Sequence, residues 1–468
     1  MAYAALFDGS APPMPISDAS VAEFLRCSMG LSAWKQYGQS RWALRVNPSS
    51  GNLHPTETYV VRDGRVSHYA PREHALEERA ILDTSASPAP APGFLVGLTS
   101  IHWREAWKYG ERAFRYCQHD TGHALGALRL AAALLGWKLT LLPRWSDAQL
   151  AALLGLDRDA DFGAAEREEP ECLAVVTPGD TSPWVAADPS PLVDAARRAS
   201  WSGLANQLSP GHVEWPVIEE VAAATRQGGA GSVTLLAPPT RPPALPAPPA
   251  PLARKIILQR RSAVAFDARS TLSRETFVAM LAKLQPHAPP WDAICWAPHV
   301  HLLLFVHRVD GVTPGVYAYP RDPAVASEWR AVMRPEFLWE ETGDGLFLLI
   351  PTDVTWVANR VSCDQDIAAD GFFSLGMIAR LESSVRAQGP WFYRRLFWES
   401  GLLGQVLYLE AEAAGARSTG IGCFYDDAVH DMAGLSGPEW QSVYHFSMGM
   451  PVDDGRLTTE PGYEWERE

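Results

Sequence analysis

Two stretches of the chain are apolar on almost every face. Residues 122–136 read GHALGALRLAAALLG and residues 401–415 read GLLGQVLYLEAEAAG, each bounded by glycines 14 positions apart. A helix that is hydrophobic all round is a buried one. Small residues let two such helices approach closely, so each stretch predicts a buried helix. Each also follows an aromatic, arginine-rich segment: Arg112-Ala113-Phe114-Arg115-Tyr116 in one case, Tyr393-Arg394-Arg395-Leu396-Phe397-Trp398 in the other. Further upstream, Tyr59 to Leu76 and Leu303 to Tyr319 each read as two β-strands around a glycine-containing turn. Two echoes in the same order predict a duplicated α+β unit.

Between the copies, Ala237 to Ala253 (APPTRPPALPAPPAPLA) holds eight prolines in 17 residues. Proline lacks the N–H that helices and central strands need, so this reads as a semi-rigid tether. The expected organisation is a first domain at 1–236, a linker at 237–253 and a second domain at 254–468. A chain of 468 residues is long for one core and suits two. Its 47% hydrophobic and 20% charged content is that of a soluble globular protein. The net charge of −14 argues against nucleic acid and against an anionic membrane surface as partners. No apolar run has the length needed to span a bilayer, and Met1 to Ser20 lacks the basic and apolar regions of a signal peptide. Six cysteines, at 27, 117, 172, 295, 363 and 423, include no C-x-x-C. Neither a zinc site nor a disulfide framework is expected, and a reducing, cytoplasmic setting is.

Three segments carry candidate chemistry. Asn47-Pro48-Ser49-Ser50-Gly51-Asn52-Leu53-His54-Pro55-Thr56-Glu57 places hydroxyls, an amide and a glycine in a rigid loop just before a β-branched run. Ser49, Ser50 and Asn52 offer donors and acceptors suited to the edge of a flat heterocycle, or else simply form a turn. Arg260-Arg261-Ser262 closes the amphipathic run Leu252–Gln259, and paired guanidinium groups beside a hydroxyl suit a phosphate. The same residues would equally suit a solvated helix end. Gly420-Ile421-Gly422-Cys423 follows the second buried helix and would let backbone N–H groups approach a planar ligand, or serve as a plain turn.

Together these motifs resemble the FMN-dependent nitroreductase superfamily. The run from Ser32-Ala33-Trp34-Lys35 through Asn47 to Glu57, with Pro314-Gly315-Val316-Tyr317-Ala318-Tyr319, looks more narrowly like the SagB-type azoline dehydrogenases. The resemblance implies a tandem nitroreductase-like α+β sandwich that forms an intrachain pseudo-dimer, either monomeric or in a higher homo-oligomer. The halves are complementary. The first has the P-S-S-G-N loop but only Arg26-Cys27-Ser28 for R-R-S. The second has R-R-S and the glycine-rich turn but reads Ala288-Pro289-Pro290-Trp291-Asp292 where the loop should fall. One intact FMN site and one decayed site are therefore expected. Pro48, Ser49, Ser50 and Asn52 would serve the flavin in it, with Arg260, Arg261, Ser262, the backbone of Gly422 and Cys423, and Arg456 as a basic residue for the phosphate.

The resemblance also implies catalytic roles for Lys108 and Tyr109, the counterpart of a Lys-Tyr pair involved in proton transfer; a surface lysine and a packed tyrosine are the plainer reading. His54 is either a proton donor near the ring or a loop-closing residue, Glu57 a loop anchor. His299 and His301 alternate along a strand, but a third metal ligand is missing. The activity expected is oxidation of an azoline or similar C–N bond in a peptide or peptide-derived product, in company with other peptide-modifying enzymes. The alternatives are an NAD(P)H-dependent nitro or quinone reductase, or a flavin-binding, non-catalytic subunit of a peptide-modifying complex.

Overall fold

The segment Phe94–Ser100 reads FLVGLTS, and every one of its residues is buried. A strand covered on both faces belongs at the middle of a sheet. The computed structural model, which describes residues 1–85, 88–229, 251–286 and 289–466, places it there. The expected tether lies outside the described residues up to residue 250. The first sheet runs, in spatial order, Ala75–Ile81, Arg65–Ala70, Thr56–Arg62, Phe94–Ser100, Glu169–Thr177, Lys138–Leu141, with every pair antiparallel. Gly97 at its centre has a packing reason: a Cβ there would come within 2.7 Å of the Leu154 side chain.

The second sheet repeats this plan. Its order is Glu340–Gly343, Leu346–Pro351, Gly315–Tyr319, Val300–Val306, Phe373–Arg380, Trp440–Gly449, Arg417–Ile421, again antiparallel throughout. Val300–Val306 is buried along its whole length. Apart from the extra edge strand Glu340–Gly343, each strand has a counterpart in the same place. In both sheets a long helix leaves one central strand and returns the chain to the far edge. These helices are Ala113–Leu134 and Phe392–Ala413, 22 residues each. Both begin earlier than the apolar stretches suggest. The aromatic, arginine-rich segments supply their first turns, because Phe114, Tyr116, Cys117 and Phe392, Leu396, Phe397 are themselves buried. The two expected hairpins are present as Thr56–Arg62 with Arg65–Ala70 and Val300–Val306 with Gly315–Tyr319. The chain is thus a duplicated α+β fold.

The two compact units do not follow the linear order of the sequence. The first comprises Met1–Pro238, Ala288–Trp296 and Thr459–Glu468; the second comprises Pro239–His287 and Ala297–Thr458. Within the first unit, the strand Thr458–Pro461 completes a small sheet with Leu31–Tyr37 and Ser40–Arg45. The tail beyond it is fastened by its own side chains. Trp34 Nε1 donates to the Gly462 carbonyl at 3.1 Å, and the Leu31 N–H donates to the Tyr463 hydroxyl at 3.0 Å. Asp292 joins the same unit through a fork with Arg129 of the long helix, both contacts 2.8 Å. So the segment that stands where the second half should carry its own P-S-S-x-N loop is tied into the first unit instead.

Among the described residues no helix is long and apolar enough to cross a membrane, and no group of three or more His, Cys, Asp or Glu side chains could hold a metal ion. His299 and His301 are engaged elsewhere. His299 Nδ1 pairs with the Ser384 hydroxyl at 2.7 Å, and His301 Nδ1 accepts the Arg321 N–H at 3.1 Å. One expectation is overturned. Cys363 and Cys423 form a disulfide across 5.8 Å between their Cα atoms. They lie 60 residues apart, and their meeting depends on how the fold returns the chain, not on any local spacing.

Candidate functional site

In the first unit the Ser49–Asn52 turn is built by its own side chains. The Ser49 hydroxyl accepts the His54 N–H at 2.8 Å. Asn52 donates from Nδ2 to the Ala43 carbonyl at 2.9 Å, and its Oδ1 meets His54 Nε2 at 2.8 Å. Ser50 gives both its N–H, at 3.1 Å, and its hydroxyl, at 3.3 Å, to Asp120 on the long helix. Pro48 is buried. The polar side chains of the loop thus also hold the loop itself. Beside them the backbone is opened by the close approach that Gly51 permits. His54 and Glu57 act as anchors. Arg104 donates to the His54 carbonyl at 2.7 Å and pairs with Glu57, whose other oxygen meets His68 Nε2 at 2.7 Å. Burial opposes the Glu57 charge, but Arg104, the His68 hydrogen bond and Arg45 outweigh it and hold the carboxyl well below its usual range. Burial alone would lower His68; its carboxylate partners Glu57 and Glu77 raise it to about 9.

Lys108 and Tyr109 come to the same loop. They end the helix Trp103–Tyr109, which leads through a short turn into the long helix. Gly51 has φ +58, and a Cβ there would strike the Tyr109 hydroxyl and come within 3.0 Å of Lys108 Nζ. Lys108 is exposed and its ammonium lies 5.0 Å from the centre of the Tyr109 ring. Tyr109 stands edge-on to Tyr116 at 4.8 Å, which fixes its ring. A lysine, a phenol and a glycine-opened backbone loop therefore share one spot.

Sequence reasoning missed two residues beneath the loop, Glu105 and Asp120, which are 0% and 1% exposed. Burial pushes the Glu105 carboxyl up, and the charge of Asp120 pushes it further, against the pull of Lys108 and Ser49. Burial raises Asp120 too, held back by hydrogen bonds from Ser49 and Ser50 and by Arg45. Signals for both were present in the sequence. Glu105 sits three and four residues before Lys108 and Tyr109, on one helical face. Asp120 is a charge in a helix otherwise buried all round.

In the second unit the arginine pair and the glycine-rich turn come together. Arg260 and Arg261 follow the helix Ala253–Gln259. Ser262 bridges Ser418 on the strand Arg417–Ile421, and the Ala263 N–H donates to the Ser418 carbonyl at 3.0 Å. The Ser262 and Tyr408 hydroxyls lie 2.9 Å apart, and Tyr408 also accepts the Gly420 N–H at 3.0 Å. A Cβ at Gly420 would collide with the Tyr444 hydroxyl. Arg260 is buried, with its guanidinium 4.9 Å from the centre of the Tyr408 ring. Arg261 donates to the carbonyls of Leu258 and Arg260. Glu412 faces Arg417, Arg260 and Arg261; burial raises its carboxyl against their pull. Two guanidinium groups beside a serine hydroxyl are chemistry suited to an anionic oxygen group such as a phosphate. Gly422 and Cys423 follow the strand, with Cys423 exposed and bonded to Cys363. Arg456 is exposed and forks onto Asp454 of its own turn at 2.8 and 2.7 Å.

A family model described as "Nitroreductase family" matches residues 13–165 and 257–450. Among solved structures, one described as a nitroreductase from Anabaena variabilis superposes with a TM-score of 0.67 at 20% identity, covering 94% of this chain and 90% of its own. The Escherichia coli microcin synthetase McbBCD complex with truncated pro-MccB17 bound matches at 20% identity over 37% of this chain and 67% of the other, with a TM-score of 0.29. A structure from Ralstonia eutropha, also described as a nitroreductase, matches at 15% identity over 47% of this chain and 90% of its own, with a TM-score of 0.30. No curated protein matches the sequence.

Proposed function

Because the chain belongs to the nitroreductase family, we propose that it is an FMN-dependent oxidoreductase of the SagB type, removing hydrogen from an azoline or similar C–N bond in a peptide or peptide-derived product. The observation that carries this reading is the placement of Lys108 and Tyr109 against Gly51 of the P-S-S-G-N loop. Oxidising an azoline to the azole forms a ring C=C bond, and oxidising an amine C–N bond forms C=N; either removes two electrons and two hydrogens, one as hydride and one as a proton. The chemistry that bound FMN supplies is acceptance of the hydride. Tyr109 Oη, beside the Lys108 ammonium, is the group positioned to take the proton. Gly51 keeps the loop backbone low enough for both side chains to lie across it. Arg260, Arg261 and Ser262 are the residues of this reading that hold the cofactor phosphate, and their bidentate donors match its oxygens.

The family description also favours a second reading, a reductase that draws electrons from NAD(P)H and passes them to nitro compounds or quinones. Hydride transfer to such acceptors calls for no base of the Lys108–Tyr109 kind. One experiment separates the two. The FMN-loaded protein is mixed anaerobically with NADPH, then in a separate run with azoline peptides. Bleaching of the flavin by the peptide, with formation of the azole, supports the dehydrogenase. Bleaching by NADPH alone, with no response to any azoline, replaces it with the reductase.

A further inference from the structure

Beneath the Ser49–Gly51 loop two acids are shut away from water. Glu105 is fully buried, and neither of its carboxyl oxygens makes a well-formed hydrogen bond among the described residues. Asp120 is equally enclosed but accepts both the N–H and the hydroxyl of Ser50. The charged and titratable groups facing them are Lys108 on the helix of Glu105, Arg45 from the strand Ser40–Arg45, and Tyr116 and Cys117 from the long helix, with Glu171 from the strand Glu169–Thr177 acting on Cys117. Two adjacent buried carboxyl groups resist ionising together. A buried carboxylate also needs donors, and only Asp120 has a full set.

We propose that Glu105 and Asp120 work as a singly protonated pair, acid on Glu105 and carboxylate on Asp120, which positions the Ser49–Gly51 loop against Lys108 and Tyr109. The charge on Asp120 anchors Ser50, while the neutral Glu105 fills the floor without adding a second anion. Burial raises both carboxyl groups, and the N–H and hydroxyl that Ser50 gives to Asp120 make Asp120 the first of the two to ionise. Raising the pH until Glu105 ionises sets two anions side by side and loosens the loop. Oxidation and reduction alike use this floor, so the pair serves either direction of the reaction. The proposal rests on reading this loop, with Lys108 and Tyr109, as the reacting site.

The test uses the full chain without flavin or substrate, so it stands apart from the question of activity. Infrared spectra at neutral pH should contain the carbonyl band of a buried carboxylic acid that disappears in Glu105→Gln. Amide exchange at Ser50 should be unchanged in Glu105→Gln and about tenfold faster in Asp120→Asn, the size expected for losing a hydrogen bond to a charged acceptor. In the parent, that exchange should also quicken at alkaline pH beyond the intrinsic base-catalysed rise, and in Glu105→Gln it should not. A parent spectrum lacking the acid band, or a band that survives Glu105→Gln, overturns the proposal. So does an Asp120→Asn protein with unaltered Ser50 exchange. The infrared arm needs only the near-isosteric Glu105→Gln variant and decides the matter even if Asp120→Asn does not fold.

Discussion

The guanidinium of Arg26 and the carboxylate of Glu466 meet in a fork, with Nε to Oε1 at 2.9 Å and Nη2 to Oε2 at 2.7 Å. Arg26 ends the helix Asp18–Arg26, the place that Arg260-Arg261-Ser262 holds after the helix Ala253–Gln259 in the second half. A bidentate carboxylate satisfies an arginine much as a phosphate would. The first half has therefore filled its anion position with a carboxylate of its own tail, and Tyr463 lies against the same guanidinium at 5.0 Å.

Breaking that fork should be costly. Arg26 is 4% exposed and Glu466 20%. Removing one partner of a mostly buried pair typically costs about 3 kcal/mol because the other charge is stranded. Glu466→Ala should lower the urea midpoint accordingly, whereas Arg26→Met combined with Glu466→Met should recover much of the loss. Equal midpoints for Glu466→Ala and the parent would show that the tail contributes nothing to stability.

Arg261→Ala should release FMN from a protein that remains folded. Truncating one partner of a charge-assisted contact costs ~2–5 kcal/mol, or roughly 30- to several-thousand-fold in affinity. The measurement is flavin absorbance after gel filtration, beside circular dichroism to confirm the fold. Retained flavin would remove Arg261 from the phosphate site.

Lys108→Ala and Tyr109→Phe should spare FMN binding and slow azoline oxidation by ~10²–10⁴-fold, the usual worth of acid–base help. Their side chains lie across Gly51, whereas the residues proposed for the phosphate are Arg260 to Ser262. Parental turnover in both variants would shift the balance to the nitro or quinone reductase.

Stability should fall in acid partly through His445. It lies fully inside the second unit, stacked on Phe424 at 4.6 Å and bonded to the hydroxyls of Ser362 and Ser442. Burial lowers its pKa to about 3. Between its ordinary range and that value the unfolded chain takes up a proton that the folded chain refuses. Its contribution is therefore whole above the ordinary histidine range and is lost as pH falls toward 3. Denaturant titrations from neutral pH downward should show a shallower decline in His445→Gln than in the parent. Parallel declines would assign acid sensitivity to other groups.

Periodicity made the duplicated halves legible. Apolar faces all round announced the two 22-residue helices, and β-branched runs around a turn announced both hairpins. The Lys108–Tyr109 pair and the 47–57 loop were visible as motifs, and their meeting at Gly51 follows from the short turn between two helices. What local pattern does not contain is pairing at long range. Cys363 finds Cys423 because strand Arg417–Ile421 delivers it there, and Arg26 finds Glu466 across 440 positions. Ser49, Ser50 and Asn52 were legible as a polar loop, but that Asp120, Ala43 and His54 also engage them appears only in the folded chain.

The order in which the chain is made gives the strand Thr458–Pro461 a further meaning. Its hydrogen-bonded neighbour, Leu31–Tyr37, is synthesised near the beginning. A ribosome that has finished residues 1–238 has released most of the first unit but not the strand, the tyrosine or the glutamate that complete its small sheet. Until those residues are made, the edge of Leu31–Tyr37 that pairs with Thr458–Pro461 stays open. The first unit therefore cannot be completed from the first half of the chain alone: it waits for residues 459–468.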